Sequence, residues 1–129
     1  MKETLLPEKT PRAPLLRERY ASFCHACRGL KTLVVREPNA RIYLAATIAV
    51  AFAGWGFHLR AAEWAWLVVA TTLVWGAEAL NSALENLADE VSLERRDRIG
   101  RAKDLGAASV LVASIGAAAL GILVFTHRL

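Results

Sequence analysis

Three stretches of this chain contain no Asp, Glu, Lys or Arg: Ile42 to Leu59 (18 residues), Trp64 to Ala77 (14) and Leu105 to Thr126 (22). A helix rises about 1.5 Å per residue and a bilayer's hydrocarbon core is about 30 Å thick, so the first and last stretches are each long enough to span it. The middle stretch runs on into a segment, roughly 63–89, whose first half is apolar and whose second half carries acids. A 129-residue chain that is 55% hydrophobic has room for one domain and is too apolar for an ordinary soluble one. The prediction is an all-α integral membrane protein. It has three transmembrane helices, near 42–59, 63–89 and 105–126, and an N-terminal amphipathic interfacial helix near 17–37.

Glu78, Asn81, Glu85 and Asp89 follow one another at intervals of 3, 4 and 4 residues. On a helix this places all four within an arc of about 80°, along about 16 Å of its length. Carboxylates at membrane depth are costly, so they face a bundle interior, a cation or a polar substrate. Two readings follow from the residues alone. The row is a polar seam or a cation or proton path in a non-catalytic oligomer, or it is a metal-binding or catalytic site.

The basic residues orient the chain. Of 16 Lys and Arg, nine lie in residues 1–41 and five in 89–104, against Arg60 alone in the 58–63 turn and Arg128 alone at the C-terminus. The positive-inside rule puts the N-terminus and the 89–104 segment in the cytoplasm, and the C-terminus outside. Counted inward from Trp64, Glu78 falls near the cytoplasmic headgroups and Asp89 level with the cytosol. The row thus leads from lipid depth to water. No nucleic-acid partner is expected.

Residues 1–16, with Pro7, Pro11 and Pro14, read as a mobile arm without an apolar run before a cleavage site, so no cleavable signal is expected. The remainder, 17–129, reads as one membrane domain. From Arg17 to Arg36, Tyr20, Phe23, Cys24, Cys27, Leu30 and Val34 recur at helical spacing, with Arg17, Arg28 and Arg36 elsewhere on the wheel. Pro38 ends this helix and leaves Glu37 at the break. Cys24 and Cys27 lack the partners of a zinc site or the following His of a haem attachment, and read as small apolar residues on the buried side. His25, His58 and His127 read as polar-face or span-end residues. Ala113, Gly116, Ala117 and Gly121 allow close helix packing, within a bundle or between subunits. Three spans offer few walls around the row, so an oligomer is expected to close the site.

No Gly-rich phosphate loop, dinucleotide fingerprint or protein-kinase signature is present. Just past the row, however, Glu94, Arg95, Arg96, Asp97, Arg98, Arg101, Lys103 and Asp104 read as a mixed, mostly basic loop. Acids for a divalent cation beside Lys and Arg for phosphate oxygens is the pairing that phosphoryl transfer requires.

The run Glu78-Ala-Leu-Asn81-Ser82-Ala-Leu-Glu85-Asn-Leu-Ala-Asp89, then Gly100-Arg101-Ala102-Lys103-Asp104, with Gly29 and Glu37 upstream, resembles the prokaryotic diacylglycerol kinase family, which includes the undecaprenol kinases. The resemblance covers about Arg17 to Phe125. It implies a three-span homotrimeric enzyme of the bacterial cytoplasmic membrane, transferring the γ-phosphate of ATP to a lipid hydroxyl with Mg²⁺. By the same resemblance Glu78 would be the general base and Asn81 would orient the reacting groups. Glu37 and Glu85 would hold Mg²⁺ against the phosphates. Asp89 would support the nucleotide or the loop, and Glu94, Arg95, Arg96, Lys103 and Asp104 would serve the nucleotide, Lys103 as phosphate counter-charge. The chain departs from the family at Arg95 and Arg96, where a Tyr-His pair is common, and at His25 and Cys27, where aromatics are frequent. Both diacylglycerol and undecaprenol stay open as acceptor: residues 37–43 and Glu63-Trp64 look closer to the undecaprenol branch, Arg28-Gly29-Leu30 to the diacylglycerol branch.

Overall fold

The computed structural model describes residues 15–92, 94 and 96–128. Most of the expected N-terminal arm, residues 1–14, and Arg95 lie outside them. The described residues form four helices and no strand: α1 (Leu15–Arg36), α2 (Pro38–Gly56), α3 (Ala61–Val91) and α4 (Asp97–Thr126).

The breaks have local causes. Glu37, preceding a proline, adopts the extended φ −92°, ψ 117° that the Pro38 ring imposes on its neighbour, and α1 stops there. Pro38 also opens α2 as its first residue, where its missing N–H costs nothing. At the far end of α2 the chain turns through His58, at φ 51°, a left-handed backbone that side chains other than those of glycine and asparagine seldom adopt. Glu63 then starts α3 by accepting the backbone N–H of Arg60 at 2.6 Å.

α3 and α4 form a long antiparallel hairpin pinned at both ends. At one end Lys103 Nζ donates to Asp89 Oδ1 at 2.6 Å. At the other, Arg128 Nε donates to Glu63 Oε1 at 2.8 Å and its Nη2 reaches the second carboxylate oxygen. The Glu63 carboxylate holds the Arg128 guanidinium above its ordinary pKa. Beside this second clasp, Leu59, Leu67 and Val124 are buried with Val50, Trp64 and Phe125 packed on them, and Phe57 meets Phe125 edge to face with ring centroids 5.6 Å apart. Gly54 lies under the Trp64 indole: a Cβ there would stand 2.8 Å from Cη2.

α3 and α4, of 31 and 30 residues, are each long and apolar enough to cross a membrane. α2 has 19 residues with Pro38, Asn39 and Arg41 in its first turn. Large apolar side chains face outward along all three helices, among them Phe52, Trp55, Leu73, Leu80, Leu111 and Ile115. Such a continuous apolar surface suits lipid rather than water.

One expectation needs revision. The stretch Asp97–Asp104 is no loop: it forms the first two turns of α4, so only residues 92–96 connect α3 to α4. Cys27 is exposed and Cys24 half-buried, both as free thiols, so no other helix of the chain covers Cys27. Tyr20, Phe23 and Leu30 are likewise exposed, and only Leu33 of α1 is buried. The small residues of α4 also lack a mate within the chain, since a Cβ at Gly116 or Gly121 would meet nothing within 4 Å.

Candidate functional site

The row on α3 follows a gradient of burial. Glu78 is 1% exposed, Asn81 and Ser82 are buried, Glu85 is half-buried and Asp89 is open. Glu78 is thus the most deeply enclosed large side chain of the described residues, and its Oε2 has no hydrogen-bond partner. A carboxyl group enclosed in this way, without a cation beside it, is costly unless a ligand or a proton comes to it.

Two further carboxylates flank it. Glu37, half-buried at the bend between α1 and α2, and Glu85, two turns along α3, are near enough for their charges to act on Glu78. Among the described residues neither is ion-paired. Asn81 lies between Glu78 and Glu85 in the row, donating from Nδ2 to Glu85 Oε1 at 3.1 Å. Two half-buried acids from two segments of chain thus act on one buried acid. Like charges brought near one another are relieved by a counter-ion or by a proton.

Nearer the end of α3, Asp89 and Lys103 are joined, a pairing the sequence does not announce. Glu94 and Arg96 stand apart from the row at the surface, 3.4 Å from one another, with side chains 81% and 61% exposed. Asp104 is exposed and, with Arg96, Asp97, Gly100 and Arg101, lines a surface hollow of about 560 Å³ at the start of α4. Arg95 is outside the described residues.

One residue escapes any reading of the row itself. Gly106 on α4 lies against Asn81 so closely that a Cβ there would overlap the Asn81 carboxamide oxygen. This contact crosses between helices, so no spacing along the chain announces it. Ser82, which the sequence motif includes without a role, is buried beside Asn81, and its carbonyl accepts Asn86 Nδ2 at 2.6 Å.

A magnesium ion fits this donor set. Mg²⁺ commonly takes one or two protein carboxylates and completes its shell with phosphate oxygens and water. Among the described residues no three His, Cys, Asp or Glu side chains form a preformed cage, and such an ion needs none. The orphaned Glu78 oxygen and the unpaired Glu37 and Glu85 supply the negative field.

A groove continues the face of the row further along α3, beyond Glu78. A cavity of about 640 Å³ opens between α2, α3 and α4, lined by apolar residues such as Val50, Leu67 and Val74, with the Thr47–Trp75 hydrogen bond (3.1 Å) on its wall.

Residues 24–125 match the family described as prokaryotic diacylglycerol kinase. The chain belongs to that family and is a lipid kinase. Among its relatives is the undecaprenol kinase of Bacillus subtilis (strain 168), 29% identical over 110 residues, or 85% of this chain and 89% of that one. The diacylglycerol kinase of Escherichia coli (strain K12) is 35% identical over 92 residues, 70% of this chain and 75% of the other. That of Synechocystis sp. is 34% identical over 101 residues, covering 78% and 58%. Kinase membership turns the weight away from a non-catalytic cation seam.

Proposed function

We propose that residues 17–129 form a single membrane domain that phosphorylates the hydroxyl of a membrane lipid alcohol, with ATP as donor and Mg²⁺ as cofactor. The acceptor is diacylglycerol, giving phosphatidic acid, or undecaprenol, giving undecaprenyl phosphate. The observation that carries the proposal is the enclosed Glu78 with its unpartnered oxygen, flanked by Glu37 and Glu85.

In this reading α2, α3 and α4 span a bacterial cytoplasmic membrane, α1 lies on its inner leaflet, the N-terminus is cytoplasmic and the C-terminus outside. The charge asymmetry and the outward apolar surface support that arrangement. Open packing faces at Gly116 and Gly121 support a homo-oligomer, which family resemblance makes a homotrimer.

Glu78 acts as general base. The lipid hydroxyl oxygen forms a bond to the γ-phosphorus of ATP while the bond from that phosphorus to the β,γ-bridging oxygen breaks. ADP leaves with the electron pair, and the hydroxyl proton passes to the Glu78 carboxylate. Asn81 orients the reacting groups and steadies Glu85. Glu37 and Glu85 would hold the metal, which would supply positive charge against the phosphates. Lys103 supplies a positive charge for phosphate, kept in place by Asp89. Glu94, Arg96 and Asp104 form the outer, aqueous part of the nucleotide site, which Arg95 would serve by family resemblance.

The test is transfer from radiolabelled ATP by purified protein in mixed micelles with Mg²⁺, offering diacylglycerol and undecaprenol separately. Labelled lipid in either arm supports the proposal, and the faster arm names the acceptor. Neither lipid labelled by a folded oligomer would overturn it.

A further inference from the structure

Gly106 is on α4, one turn beyond Lys103, facing the row on α3. The place a side chain would occupy there is already taken. Its Cβ would overlap Asn81 Oδ1 and stand 3.0 Å from Leu84 Cδ2 and 3.5 Å from Asn81 Cγ. Elsewhere on the same helix, at Gly116, a Cβ would meet nothing within 4 Å. The absent side chain at 106 therefore makes a slot, and the Asn81 carboxamide fills it.

The slot fixes which way the amide points. Oδ1 is buried against α4 without a hydrogen bond, while Nδ2 donates to Glu85 Oε1 at 3.1 Å. Turning the amide over would set a carbonyl oxygen against a carboxylate oxygen, acceptor against acceptor.

We infer that Gly106 is a positioning residue of the kinase site: the bare backbone of α4 holds the Asn81 amide in the one orientation that steadies Glu85. The inference rests on the kinase reading for its consequence, since Glu85 is there a ligand of the metal and nucleotide. Its geometric core, the contact between Gly106 and Asn81, stands apart from that reading.

The test compares Gly106→Ala with Gly116→Ala, two exchanges that make the same gain in helix preference. The chain has three asparagines, Asn39, Asn81 and Asn86, so their side-chain amides are resolvable by magnetic resonance in asparagine-labelled protein. Gly106→Ala shifts the Asn81 side-chain amide and Gly116→Ala does not. In the kinase assay Gly106→Ala raises the KM for Mg-ATP by about tenfold, as loss of a group supporting a metal ligand does, and leaves the lipid KM within about twofold. In an Asn81→Ala background the same exchange adds no further loss. An unmoved Asn81 amide in a folded protein overturns the inference, as does a loss of turnover with both KM values unchanged, which marks a merely structural role. Should Gly106→Ala not fold, the pair Asn81→Ser with Gly106→Ala makes room for the methyl: recovery of folding supports the slot, and continued failure overturns it. Wild-type protein that transfers no phosphate overturns the kinase reading alone, because the Asn81 amide still decides the contact.

Discussion

Arg128, two residues past the end of α4, clasps Glu63 in the first turn of α3, 65 positions earlier in the chain. The same carboxylate caps α3 through the Arg60 N–H, so one side chain both starts a helix and ties down the end of another. With Lys103–Asp89 at the opposite end, it fixes the register between α3 and α4.

The clasp lies about 22 Å along α3 from Glu78, the nearest acid of the row, so its loss should act on stability and spare chemistry. Arg128→Ala is expected to lower the midpoint of thermal unfolding in detergent by a few degrees while turnover at low temperature stays near wild type. The exchanged pair Glu63→Arg with Arg128→Glu should recover part of the loss, though not the cap on α3. An unchanged midpoint in Arg128→Ala would show that the clasp carries no stability.

Glu78 and Glu85 should separate in kinetics. Glu78→Gln keeps shape and removes the proton acceptor, so turnover should fall by about 10²–10⁴-fold with the KM for ATP little changed. Glu85→Gln should raise the Mg²⁺ and ATP requirement by about tenfold or more. Chelation of divalent cations should stop transfer and added Mg²⁺ restore it. Near-normal turnover in Glu78→Gln would remove it from the role of base.

Lys103 and Asp89 form a partly exposed pair, their side chains 35% and 57% accessible, and exposed pairs contribute little to stability. Lys103→Met should therefore leave the thermal midpoint within about 2 °C while raising the KM for ATP by about tenfold, through the lost phosphate contact. A large thermal shift with normal ATP affinity would assign the lysine to folding instead.

Gly54 tests packing at the far end. A methyl there would press on the Trp64 ring, 2.8 Å from Cη2, and approach Leu59 Cδ1 at 3.1 Å. Gly54→Ala should destabilise by about 1–3 kcal/mol, the cost of overpacking, against a gain of about 1 kcal/mol in helix preference. Denaturation in detergent that shows Gly54→Ala as stable as wild type would mean that the indole moves aside freely.

The helical course of the chain is legible in its uncharged stretches and in Pro38, and the one-faced row at Glu78, Asn81, Glu85 and Asp89 follows from spacing alone. The graded burial of that row within the protein, from Glu78 to Asp89, is not legible: the apolar run suggests a descent from lipid depth to water, whereas burial depends on what packs against α3. What escaped depends on contacts between helices. Asp97 to Asp104 looks like a loop because its charges are dense, yet a helix tolerates charge wherever it faces water, and α4 simply starts earlier. The pairing of Lys103 with Asp89 and the fit of Gly106 to Asn81 join residues 14 and 25 positions apart, set by how the two helices pack. No periodicity within either helix encodes that register.

The groove between α2, α3 and α4 is open to the side and its walls are apolar for most of its height. In the proposed membrane arrangement, whatever enters it arrives along the plane of the bilayer, having never crossed into water. Its supply is then counted per lipid molecule rather than per litre: adding inert lipid dilutes it, and adding buffer does not. For a molecule taken up this way, the membrane is itself the solution in which affinity and saturation are defined.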